Sequence, residues 1–164
     1  MNFLEELASE YYDHQGYFVK NNERVEIGKR GGYKTEMDVI AYHPTKKELI
    51  HLEATSEATH WEDKKRKDGK VDSGTKSRIK KKFNIAKRNY KKLFDFDFEH
   101  LKEIAIAGYG KGSNKSLGDI ELKTIPQFKG EVLEYVRKFN NSSVRVIPEK
   151  YPLLRTIQEM IDVF

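Results

Sequence analysis

The chain has 164 residues with 37% hydrophobic and 35% charged side chains, nine Tyr and nine Phe; this is enough for a single domain, residues 1–164, with an aromatic-rich core, and too little for two comfortable ones. It contains no cysteine, which excludes disulfides, thiolate metal sites and cysteine nucleophiles and fits a reducing cytoplasm. The net charge of +5 hides a polarity: Lys64 to Lys92 carries eleven Lys and three Arg against Asp68 and Asp72, a local +12 that leaves −7 elsewhere, and such clustering points to a polyanion, nucleic acid first.

The opening "MNFLEELASEYY" is acidic and amphipathic, without the basic and apolar regions of a secretory leader. No later run is long enough to span a bilayer, so a cytoplasmic protein with no membrane partner is expected. Leu4, Leu7, Ala8 and Tyr11 repeat at helical spacing up to Gly16, and Tyr17 to Val19 reads as a short strand. "RVEIGKRGGYKTEMDVIAYHP" reads as two extended pieces around Gly31 and Gly32, and "KKELIHLEAT" as a third, which predicts an antiparallel meander.

From Ser73 to Phe94 one stripe of Ile79, Phe83, Ala86, Tyr90 and Phe94 predicts a long amphipathic helix, with Ser73 or Thr75 available as its cap. "EIAIAGY" reads as a buried strand, Gln127 to Phe139 as a helix, "VRVIP" as a strand and Pro152 to Phe164 as a final helix. The order predicts an α/β domain, a central mixed sheet flanked by helices on both faces, with a C-terminal αβα extension. "GYGKGS", Gly108 to Ser113, matches neither the dinucleotide nor the Walker spacing and is read as a loop. Trp61 beside the basic run is read as packing before base stacking.

Two acids stand where a buried strand favours apolar side chains. Alternation puts Glu36, Asp38 and Ile40 on one face, and His51, Glu53 and Thr55 on one face of the next strand. If the strands are neighbours, Asp38 and Glu53 converge, and two ionised carboxylates that close repel unless a cation lies between them. The plain alternative is a sheet with one wet face. With no Cys and no close pair among the five His, the donors would be oxygens, suiting Mg²⁺ or Mn²⁺ over zinc.

The opening helix with its glutamates, "GYFV", "EMDVIAY" and "ELIHLEAT" together resemble the PD-(D/E)XK nuclease superfamily, the restriction-endonuclease-like fold that includes archaeal Holliday-junction resolvases. The resemblance covers the first half of the chain with its motifs. It implies a Mg²⁺-dependent endonuclease acting on DNA, with Asp38 as the motif aspartate and Glu53 as the second acid. The family pattern places a lysine two residues after that acid, where this chain has Thr55. Relatives carry the lysine on a neighbouring element, and Lys76, three residues before Ile79, is the choice here, ahead of Lys80. In related resolvases a glutamate of the first helix joins the metal; of Glu5, Glu6 and Glu10, Glu5 borders the apolar face and is taken as the third ligand.

Lys64, Lys65, Arg78, Lys80, Lys81 and Lys82 are the expected grips on the nucleic-acid backbone. The sequence admits a homodimer without specifying one. The alternative functions are a catalytically inactive nucleic-acid-binding module on the same fold, with Thr55 marking a lost site, and, more remotely, an interaction subunit for an acidic protein.

Overall fold

A computed structural model describes residues 2–29, 31–55, 61–93, 97–108, 117–141 and 146–163. Helix α1 (Phe3–His14) starts at Asn2, whose side chain accepts from the backbone N–H groups of Leu4 and Glu5 while Glu5 reaches back to Asn2, a reciprocal cap. It feeds a meander of β1 (Phe18–Ile27), β2 (Tyr33–His43) and β3 (Glu48–Thr55). "GYFV" and "RVEI" thus belong to one strand. The β1–β2 turn needs Gly31 and Gly32, at φ 79° and 75°, conformations that a Cβ disfavours.

A small ribbon of β4 (Lys64–Lys65) and β5 (Val71–Asp72) follows, then α2 (Thr75–Lys87), a short α3 (Tyr90–Leu93), β6 (His100–Ala107), β7 (Glu121–Thr124), α4 (Ile125–Asn141) and α5 (Pro152–Val163). The main sheet runs β1-β2-β3-β6-β7. β1–β2 and β2–β3 are antiparallel, while β3–β6 and β6–β7 are parallel, so the sheet is mixed.

Alternation sorts β3 between two faces. Ile50, Leu52 and Ala54 join Val39, Ala41, Leu7, Phe128, Val132 and Leu154 in the larger core, beneath α1, α4 and α5. Leu49 joins Ile40, Tyr42, Ile85 and Tyr90 on the opposite face, where Ile79 and Phe83 also pack, beneath α2 and α3. The result is α/β, a five-stranded mixed sheet flanked by helices.

Three expectations change. The long helix divides at Arg88 and Asn89, because the Asn89 side chain donates to Ile85 O (2.8 Å) and to Glu26 Oε1 (3.1 Å), diverting a backbone acceptor from the helical ladder; Phe94 lies outside the described residues. The α2 cap is Gly74, without a side-chain bond, in place of Ser73 or Thr75. A Cβ on Gly74 would lie 2.4 Å from Trp61 O, so only glycine lets the 61–63 segment pack this close to the helix start. Finally, the described part of "VRVIP", 146–148, forms no strand: Ile147 is buried and its N–H donates to Gln158 Oε1 (2.7 Å), and the fifth strand is β7, before α4 rather than after it.

Most of "GYGKGS" lies outside the described residues, as does Phe164. Trp61 packs against the cluster around Ile79 and Phe83, as read from sequence. Among the described residues, no helix is long and apolar enough to cross a membrane.

Candidate active site

The site begins where the sheet's own ladders fail. β2 pairs with β3 through Val39 opposite Leu52, and with β1 through Asn21 opposite Val39 and Glu23 opposite Met37, but Asp38 is skipped on both sides. Across from it, Asn22 takes a left-handed φ of 54°, a conformation that Asn tolerates better than most residues. The pleat resets there, for Met37 packs with Ile40 and Tyr42 rather than with Val39 and Ala41. β2 therefore parts from β3, and the N–H of Ala54, deprived of a strand partner, donates to Asp38 Oδ2 (2.8 Å).

Helix α2 crosses this fork. Thr75, Arg78, Ile79 and Lys82, at positions i, i+3, i+4 and i+7 of one helical face, line a cleft of about 220 Å³ together with Glu5, Asp38, Glu53 and Thr55. Lys82 Nζ donates to Asp38 Oδ1 (2.9 Å) and to Glu53 Oε2. One ammonium thus joins two carboxylates.

Each carboxylate has one oxygen turned to the cleft and one held inside the protein. For Asp38 the inner oxygen is Oδ2 on the Ala54 N–H; for Glu53 it is Oε1, which lies 2.8 Å from His51 Nε2. His51 is fully buried. The Tyr90 hydroxyl donates to Glu103 Oε1 at 3.0 Å and lies 2.6 Å from His51 Nδ1. Glu103 Oε2 in turn meets Lys87 Nζ at 3.0 Å.

Burial, and then the neighbouring Glu53, push the Asp38 carboxyl up to about 6, against the opposing pull of Lys82 and the Ala54 N–H. Glu53 is raised too, by burial first. Burial works against the charge of Lys82, but the two acids outweigh it and raise the ammonium. Burial lowers His51 to about 3, so the imidazole is neutral and carries a single N–H.

The chemistry of this donor set fits a small hard cation. Two converging carboxylate oxygens, no sulfur and an imidazole turned away from the cleft suit Mg²⁺ or Mn²⁺, which bind through one or two carboxylates plus water and substrate phosphate. No group of three His, Asp or Glu that could hold an ion occurs among the described residues, so a complete protein cage is not what the site offers.

The expected third acid borders the same cleft, and the expected lysine does not. Glu5 borders the cleft, but α1 covers the other face of the sheet, and the Glu5 carboxylate accepts from Asn2 N (3.0 Å) and Asn2 Nδ2 (2.5 Å) in the helix cap. Glu10 is likewise structural, accepting from Leu153 N and Leu154 N (both 2.9 Å) at the start of α5, where a carboxylate meets free helix N–H groups. Lys76 is not at the acids: it pairs with Glu62 (2.9 Å) at the surface, because position 76 lies off the helical face that meets the cleft. Lys82, expected on the backbone grip, is the lysine brought to Asp38 and Glu53. Arg78 lines the cleft beside it, Lys80 is half-buried, and Lys64, Lys65 and Lys81 are exposed. His51 was visible in sequence as the residue sharing a face with Glu53, but nothing in the pattern named its partner Tyr90, 39 residues away.

The chain matches no family model, no curated protein and no solved structure, so the functional reading rests on its own residues.

The raised Asp38 has a consequence for stability. Its folded value of about 6 lies above the ordinary 3.8, so its contribution is fully present below pH 3.8 and is lost as the pH rises through about 6. At neutral pH without divalent metal, Asp38→Asn is therefore expected to be at least as stable as the native chain, by roughly 1–3 kcal/mol. Thermal unfolding checks this: Mg²⁺ should raise the melting temperature of the native chain and leave that of Asp38→Asn unchanged. A variant clearly less stable than the native chain without metal would count against a strained pair of acids.

Proposed function

We propose that the protein is a metal-dependent nuclease hydrolysing phosphodiester bonds in DNA, on a restriction-endonuclease-like core. The observation that carries this reading is the arrival of Lys82 from α2 at the paired oxygens of Asp38 and Glu53, in a chain where Thr55 stands at the position of the motif lysine. An acid pair alone is common in proteins; two buried acids with raised pKa and an ammonium, at the mouth of a cleft beside a strongly basic surface, are what phosphoryl transfer needs.

Asp38 Oδ1 and Glu53 Oε2 would hold the cation. When bound, a divalent ion lowers the pKa of water and offsets charge on phosphoryl oxygens. Lys82, which meets the same two oxygens, would bind a nonbridging oxygen of the scissile phosphate and stabilise the charge that develops there. Arg78, which lines the same cleft, would hold the same or the adjacent phosphate, and the exposed lysines of α2 and of the β4–β5 ribbon would contact the backbone on either side.

A second reading, a binding module without catalysis, is favoured by one fact: Lys82 already neutralises much of the acid pair, as a structural ion pair would. Incubating the protein with plasmid, branched and single-stranded substrates in Mg²⁺, Mn²⁺ or EDTA separates the two. The nuclease reading expects cleavage that EDTA abolishes, and binding without cleavage in any divalent metal would favour the module.

Both readings expect salt-sensitive binding. Affinity for duplex should fall with a log–log slope near −0.9 for each phosphate neutralised, and replacing Lys64, Lys65, Lys80 and Lys81 with Gln should weaken binding and flatten that slope. Fluorescence anisotropy over a salt series checks it; an unchanged slope would remove this surface as the grip.

A further inference from the structure

The buried polar chain behind the acids is more than the fold requires. His51 is wholly enclosed, with its ring 4.5 Å from that of Phe83 and 5.6 Å from that of Tyr90. Tyr90 is buried too, in the cluster with Ile40, Leu49 and Ile85. Apolar residues of similar volume would fill both positions without bringing polar atoms out of water, and a buried polar group is costly unless every member of its network is satisfied.

What the chain does is aim Glu53. A carboxylate free to turn about its last torsion presents either oxygen, in a broad range of orientations. Here Oε1 is held at 2.8 Å by His51 Nε2, which leaves Oε2 directed at the cleft and Lys82. The arrangement repeats the one at Asp38, where a backbone N–H holds Oδ2 at 2.8 Å and leaves Oδ1 to the cleft. Glu53 accepts from a backbone N–H as well, that of Asp38, and the imidazole adds the hold on Oε1.

The other nitrogen of the imidazole is held as well, for Nδ1 lies 2.6 Å from the Tyr90 hydroxyl. Tyr90 is itself tethered through Glu103 to Lys87.

We propose that His51 and Tyr90 are positioning residues for the cation-holding oxygen of Glu53, with Tyr90 fixing the imidazole and the imidazole fixing the carboxylate. The inference rests on the nuclease reading, which supplies the cation. It predicts that metal affinity depends on a tyrosine of α3 that touches neither metal nor substrate. Groups that orient metal ligands in this way typically change affinity or activity about 10- to 100-fold when lost.

The test measures free Mn²⁺ by electron paramagnetic resonance in titrations of the full chain, alongside single-turnover cleavage and DNA binding. Tyr90→Phe keeps the ring and removes only the hydroxyl; it should weaken Mn²⁺ binding about 10-fold and leave DNA affinity in EDTA unchanged. His51→Leu should lose more. His51→Gln, whose amide nitrogen can stand where Nε2 does, should recover most of that loss. Phe98→Leu, in the same cluster as Tyr90, controls for packing: it should lower the melting temperature without changing Mn²⁺ affinity.

Should His51→Leu fail to fold, Tyr90→Phe and His51→Gln still decide the matter. Native Mn²⁺ affinity in Tyr90→Phe, beside a native chain that binds metal and cleaves, would overturn the positioning role and spare the nuclease. An Mn²⁺ loss in Phe98→Leu equal to that in Tyr90→Phe would also overturn it. A native chain that neither binds Mn²⁺ nor cleaves overturns both.

Discussion

Asp38→Asn and Glu53→Gln should each reduce metal-dependent cleavage by at least about 1000-fold, several kcal/mol of transition-state stabilisation. Each exchange removes a charged oxygen aimed at the cleft and keeps the shape of the side chain. Asn at 38 can still accept from the Ala54 N–H with its carbonyl oxygen, and Gln at 53 can still hydrogen-bond His51 through its amide, so the inner bonds that shape the fork persist. The loss should therefore fall on metal binding and chemistry rather than on folding. Cleavage rates under saturating Mg²⁺, with circular dichroism as the check on fold, measure it; native activity in either variant would remove these acids from the site.

The second large effect belongs to Lys82. Lys82→Met, which keeps the aliphatic stem and removes the ammonium, should lower single-turnover cleavage by about 100- to 1000-fold, the usual cost of losing one preorganised charge donor. DNA affinity should change little, since one phosphate contact among many is lost. Lys76→Ala, remote from the acids and paired with Glu62, should cleave like the native chain. Adding Thr55→Lys to Lys82→Met should restore part of the rate, because Thr55 lines the same cleft and follows Glu53 on the same face of β3. Restoration would assign the two positions one role, carried by whichever supplies the ammonium. Full activity in Lys82→Met would place the catalytic charge elsewhere, with Arg78 the nearest remaining cation in the cleft.

Much of this arrangement follows from short-range pattern. Period-two alternation placed Asp38, Glu53 and His51 on like faces, and helical periodicity found the face of α2 that carries Ile79 and Phe83. What pattern could not supply depends on contacts distant in sequence. The break in β2 pairing at Asp38 involves Asn22 across the hairpin, and a strict alternation would put Met37 with Val39, which it does not join. The choice of Lys82 over Lys76 turns on where α2 crosses the fork. Both flank Ile79 by three residues, and the helix start packs closely on the 61–63 segment at Gly74, a contact invisible in composition.

The acids of α1 were ambiguous for a similar reason. Glu5 and Glu10 both lie on the buried side of the helix, and both prove to be engaged at helix starts, one its own and the other that of α5, 143 residues later. The misplaced strand has a local cause. "ELKT" is a four-residue strand with one apolar side chain, too short to announce itself, while "VRVIP" has strand-like residues whose buried Ile147 instead packs against α5 through Gln158.

The most direct measurement is single-turnover cleavage of an end-labelled DNA duplex by the native chain and by Asp38→Asn, each in Mg²⁺ and in EDTA, at a salt concentration where both bind. The account predicts cleavage by the native chain in Mg²⁺ alone, with the variant bound and inert. Equal cleavage by both proteins, or cleavage by the native chain that persists in EDTA, would contradict it.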